Sequence, residues 1–75
     1  MNTDHLVAMA NDIAAFFASD PDPAAAAASV ANHLARFWEP RMRRELIEHQ
    51  RAGGGGLSDV ARAGVEQLAA RPVGA

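Results

Sequence analysis

The chain has 75 residues, 49% of them hydrophobic and 21% charged, with nine acidic residues against seven arginines and a formal net charge of -2. That length holds one small domain, which buries only about 60% of the surface its unfolded chain exposes. With no cysteine, disulfides, thiolate metal sites and cysteine-held iron–sulfur clusters are excluded, and the acidic balance gives no global attraction to nucleic acid.

The first predicted helix runs from about Asp4 to Ala18, with Thr3 as its N-cap. Leu6, Met9, Ile13, Phe16 and Phe17 recur at three- and four-residue spacing and form one apolar stripe. Core packing is the expected role of Leu6, Met9, Phe16 and Phe17. The N-terminus has no basic n-region, and Asn11 and Asp12 interrupt its apolar stretch. It therefore does not read as a signal peptide. No run of about 18 apolar residues predicts a membrane span, so a cytoplasmic, non-membrane protein is expected.

Ser19-Asp20-Pro21-Asp22-Pro23 ends the first helix, because each proline disfavours the helical state in its predecessor. Asp22 and Pro23 also start the second helix, as N-cap and first helical residue. Ala24 to Ala28 supply helix propensity but little to bury. Val30, Leu34, Phe37 and Trp38 continue at helical spacing, so this helix has a slim first half and a bulky end. Pro40 breaks the pattern, since proline loses one helical hydrogen bond and clashes with the preceding turn. A third helix is expected to start there and run through Arg51, with Met42, Leu46 and Ile47 on one side.

Gly53 to Gly56 stop the third helix and read as a flexible link. Ser58 is the expected N-cap of a fourth helix that carries Val60, Val65 and Leu68. Gly64 is expected to weaken that helix by about 1 kcal/mol relative to Ala. Arg71-Pro72 ends it. The predicted fold is all-α, a small bundle of three to four short helices. It comprises a main helical unit over residues 1–52, a glycine linker over 53–56, a C-terminal helix over 57–71 and a loose tail over 72–75.

Charge is unevenly spread. Residues 1–35 hold four aspartates and no Lys or Arg, whereas residues 36–51 hold five arginines against three glutamates. The segment from Phe37 to Arg44 contains the single tryptophan, one phenylalanine and three arginines. Trp and Arg concentrate at the energetic centres of protein interfaces. Phe37, Trp38, Pro40, Arg41, Met42, Arg43 and Arg44 are therefore the expected partner-facing residues. Neighbours on a helix point about 100° apart, so one of Phe37 and Trp38 can face the core while the other faces outward. Arg41 with Glu45, and Arg44 with Glu48, are spaced for weak helical pairs. That leaves Arg43 as the arginine expected to reach a partner.

No catalytic, cofactor-binding or metal-binding set is predicted. His5, His33 and His49 are far apart in sequence. The Glu45, Glu48 and His49 cluster lacks the spacing of zinc-protease or di-iron helices, and Glu45 with His49 reads as a surface helical pair. The four glycines are not followed by Lys-Ser or Lys-Thr, so they do not make a phosphate loop. The hydroxyl residues Thr3, Ser19, Ser29 and Ser58 suggest no Ser, His and Asp set.

Three stretches carry a family likeness. They are His5 to Ile13 with Phe16-Phe17, Val30 to Arg43, and the weaker Gly56-Leu57-Ser58 with Val60 and Val65. On these the chain resembles the small delta subunit of cytoplasmic, NAD-dependent, molybdenum- or tungsten-containing formate dehydrogenases. The Phe-Trp pair followed by Pro-Arg-Met-Arg is the most specific part, while the alanine run and glycine linker look variable. The resemblance implies a non-catalytic accessory subunit docked on the large catalytic subunit and, through it, linked to flavin and iron–sulfur subunits. Those partners would hold bis-molybdopterin guanine dinucleotide with molybdenum or tungsten, iron–sulfur clusters and FMN, and would use NAD. This chain would bind none of them and would aid assembly, stability or cofactor retention. The alternative is a free-standing helical adaptor or regulator, either homo-oligomeric or nucleic-acid-binding.

Overall fold

The computed structural model describes residues 2–71. Four helices follow in order: α1 (Thr3–Phe17), α2 (Pro23–Phe37), α3 (Pro40–Arg51) and α4 (Asp59–Ala70). They form the small all-α bundle that the sequence predicts. Among the described residues there is no strand. The expected loose tail, residues 72–75, lies outside the described residues.

Local chemistry sets the helix starts. The Asp22 side chain accepts from the Ala24 N–H with Pro23 in the first turn, and Ser58 accepts from the Ala61 N–H. Both are the expected caps. At α1 the cap is Asn2, which accepts from the Asp4 N–H, and Thr3 is the first helical residue. Asn is at least as good a cap as Thr, so the helix gains a residue at its start.

The break at Pro40 is a true restart. Trp38 and Glu39 are extended, and Pro40 opens α3. An extended residue before proline is what the ring's steric demand enforces. The Trp38 N–H closes α2 on the Leu34 carbonyl at 3.1 Å.

The core centres on α2 against α4, with α1 packed across both and α3 closing on α4 and α1. Leu6, Val30, Leu34, Leu46 and Val65 are its largest fully buried side chains, each contributing about 1.5–3 kcal/mol of burial. The alanine run departs from expectation: Ala26 and Ala27 are core residues, each 1% exposed. Their small size lets α4 come close. Gly64 is buried opposite them, and a Cβ there would stand 2.5 Å from Val30 Cγ1 and 3.3 Å from the Ala27 carbonyl oxygen. Gly64 is thus a packing residue rather than a simple weak point in α4.

The link over Gly53 to Gly56 is not loose either. Its carbonyls accept hydrogen bonds from three helices: Arg62 Nη1 to Gly53 O at 2.8 Å, Arg62 Nη2 to Gly54 O at 3.2 Å, His49 Nε2 to Gly55 O at 2.7 Å and Asn11 Nδ2 to Gly56 O at 2.8 Å. Asn11 Oδ1 also accepts from the Ser58 N–H at 2.9 Å. A carbonyl can only accept, so His49 carries its proton on Nε2 in this contact. The side chains that tie the turn come from residues up to 45 positions away, which is why composition alone reads it as flexible.

Candidate partner interface

The expected docking segment divides into an inner and an outer part. Trp38 is 7% exposed and belongs to the core, whereas Phe37 is 68% exposed. Phe37 is the last residue of α2, and the extended backbone at Trp38 turns the chain inward. One of the aromatic pair therefore packs and the other is presented. Met42 is half-buried against the core, and Pro40, Arg41 and Arg44 are exposed.

Arg43, expected to reach outward, is half-buried and donates from Nη1 to the Ala35 carbonyl at 2.6 Å. This charge-assisted bond fastens α3 to the last turn of α2. Trp38 and Arg43 thus hold the α2–α3 corner in shape, and Phe37, Pro40, Arg41 and Arg44 form its outer surface.

A second exposed aromatic was not expected. Phe16, assigned to the core stripe from its spacing, is 77% exposed. The buried line of α1 is Leu6, Val7, Ala10 and Ala14. Phe16 lies roughly 130° round the helix from the centre of that line, at 100° per residue. The two phenylalanines point about 100° apart, and only Phe17 falls on the side of Leu6, Val7, Ala10 and Ala14. Phe17 takes the inward position and is half-buried against the core.

Phe16, Phe17, His33 and Phe37 form a continuous run of rings across α1 and α2. Phe16 and Phe17 meet edge to face at 5.0 Å, Phe17 and His33 at 6.4 Å, and His33 and Phe37 are tilted at 4.8 Å between centroids. His33 and Phe37 stand four residues apart on α2, so they share a face. The Arg36 guanidinium lies 5.9 Å from the Phe37 ring centroid. Two shallow depressions flank the run, about 370 Å³ beside Asp12 and Ile13 and about 240 Å³ beside Asn32 and Arg36.

Leaving Phe16 and Phe37 in water forgoes about 1–2 kcal/mol each of the free energy their burial offers. A partner that covers them recovers it. The rings supply apolar area, while Asp12 and Arg36 supply opposite charges at its two ends.

Among the described residues, no group of three or more His, Asp or Glu side chains comes together to hold a metal ion. No helix there is long and apolar enough to cross a membrane.

Comparison with known proteins places this arrangement in a family. No curated protein and no solved structure matches the chain. Residues 5–65 match the family described as NADH-dependent formate dehydrogenase delta subunit FdsD. The matched span contains α1 from His5 onward, α2, α3, the tied glycine turn and the ring run, and the chain belongs to that family of formate dehydrogenase delta subunits.

Proposed function

We propose that this chain is a non-catalytic accessory subunit that docks on the large catalytic subunit of its formate dehydrogenase. Docking stabilises the assembled form, aiding assembly, stability or cofactor retention, in the cytoplasm. In this reading the large subunit and its flavin and iron–sulfur partners hold the molybdenum or tungsten centre, the clusters and FMN, and use NAD. The observation that carries the reading is Phe37, 68% exposed and tilted against His33 in a run of four rings.

Contiguous exposed apolar patches mark interaction sites. A well-packed anchor at the centre of an interface carries about 2–4 kcal/mol of affinity. Binding the assembled state alone stabilises it by mass action. Phe37 and Phe16 are the anchors, with Pro40, Arg41 and Arg44 continuing the surface at the start of α3. Trp38, Met42 and Arg43 serve the interface by fixing its shape.

The test is co-expression of tagged Phe37→Ala and Phe16→Ala/Phe37→Ala chains with the other subunits. Recovery of the complex and formate-dependent NAD reduction are then measured. The double variant is expected to lose most of its partner. Full recovery and full activity with both rings removed would falsify this docking surface and favour a free-standing adaptor. Formate oxidation by the purified chain alone would sink the non-catalytic reading.

A further inference from the structure

A second groove lies between α3 and the C-terminal half of α4, about 410 Å³ in volume. It shares no lining residue with the two depressions beside the rings, and it meets the α2–α3 corner only at Pro40, Arg43 and Arg44. Its floor is apolar, from Ile47, Leu68 and Ala69, and its rim is cationic, from Arg43, Arg44 and Arg51 against Glu48. Positive charge is concentrated here in a chain whose net charge is -2. Arg44 and Arg51 are exposed.

We propose that this groove receives an acidic amphipathic segment of another subunit of the complex. Arg44, Ile47 and Arg51 follow one another at three- and four-residue spacing, so they line up along α3. Two helical turns separate the arginines, about 10.5 Å. A partner helix with carboxylates seven residues apart and an apolar residue between them matches that row. The apolar side chain seats on Ile47 and Leu68, and each carboxylate meets one guanidinium fork. Charge complementarity of this kind selects the partner and fixes its register. Arg43 is partly committed to Ala35, so Arg44 and Arg51 carry the recognition.

This inference rests on the reading of the chain as a docking subunit, and the experiment separates the two. A benzophenone side chain is introduced at position 48 in place of Glu48, and separately at position 37 in place of Phe37. Both substitutions leave the rim arginines intact. The assembled complex is purified and irradiated, and the adducts are sequenced. The position-48 probe is expected to capture a segment of another subunit that bears acidic residues at helical spacing around an apolar one. Arg51→Glu in the same background, at a rim residue outside the aromatic docking surface, is expected to lower that adduct about fivefold, as one attractive pair becomes repulsive. Capture of a neutral or basic segment, capture of a second copy of this chain, or an unchanged yield in the Arg51→Glu variant overturns the groove assignment. An adduct at position 37 with none at 48 overturns it while leaving the aromatic docking surface standing. Failure at both positions removes both.

Discussion

Gly64 meets Val30 so closely that a single added methyl would stand 2.5 Å from the valine Cγ1. The contact joins the middle of α4 to the middle of α2, the most extensive helix pairing in the bundle. Helix propensity favours alanine over glycine by about 1 kcal/mol. Overpacking of a tight core costs about 1–3 kcal/mol, and here the second effect wins. Gly64→Ala is expected to lower stability in urea denaturation of the isolated chain. A higher midpoint would show that the two helices separate easily.

Trp38→Ala and Phe37→Ala are expected to fail in different ways. Removing the buried tryptophan leaves a cavity that costs about 3–5 kcal/mol. That is comparable with the whole margin of a domain this small. Removing the exposed phenylalanine changes isolated stability by about 0.5 kcal/mol or less yet weakens complex recovery. Thermal melts of the two free chains, set beside pull-downs, separate the fold defect from the docking defect.

The N-caps at Asp22 and Ser58 and the restart at Pro40 were legible in the sequence because proline and capping side chains act within a few residues. The four-helix outline follows from them. The facing of the helices was less legible, for a physical reason. A stripe read by large side chains selects Leu6, Met9, Ile13, Phe16 and Phe17, but α1 buries Leu6, Val7, Ala10 and Ala14. Where helices approach closely, the seam is lined by small residues and the largest ones are displaced to its margins. That displacement sent Phe16 outside and concealed half of the candidate interface. It also made Ala26 and Ala27 look like filler. Within the expected docking segment, the sequence marked the right corner, but only tertiary contacts separate Phe37 from Trp38 and commit Arg43 to the Ala35 carbonyl.

Asn11 joins α1 to the turn before α4 with both ends of its amide, to Gly56 O and from the Ser58 N–H. Asn11→Ala removes two hydrogen bonds, each worth about 0.5–1.5 kcal/mol net. The variant is expected to lose about 1–3 kcal/mol in total, with faster amide exchange at Ser58. An unchanged exchange rate there would mean that the turn holds its shape without α1.

The four glycines of the turn are not equivalent. Gly54 has φ +64, and a Cβ there would meet the Gln50 and Arg62 side chains, whereas Gly55 has open space around it and no such φ. Gly54→Ala is expected to cost about 1–2 kcal/mol through left-handed strain. Gly55→Ala is expected to be neutral or to stabilise by about 0.4–1 kcal/mol by restricting the unfolded chain. Paired denaturation curves check the sign of each.

The alanine seam of α2 also bears on how a chain without cysteine, at this length, folds at all. Burying a long side chain freezes its rotamers, at up to about 2 kcal/mol for the most flexible types, while alanine has none to freeze. Ala10, Ala14, Ala26, Ala27, Ala31 and Ala61 are all buried. This interior therefore gains close backbone approach with little loss of side-chain disorder, and its stability rests on dispersion between helix surfaces held nearly in touch. Such a seam has no slack to absorb a larger side chain. The freedom to vary in shape is left to the outer aromatic rings and the arginine rim, where another molecule must be met.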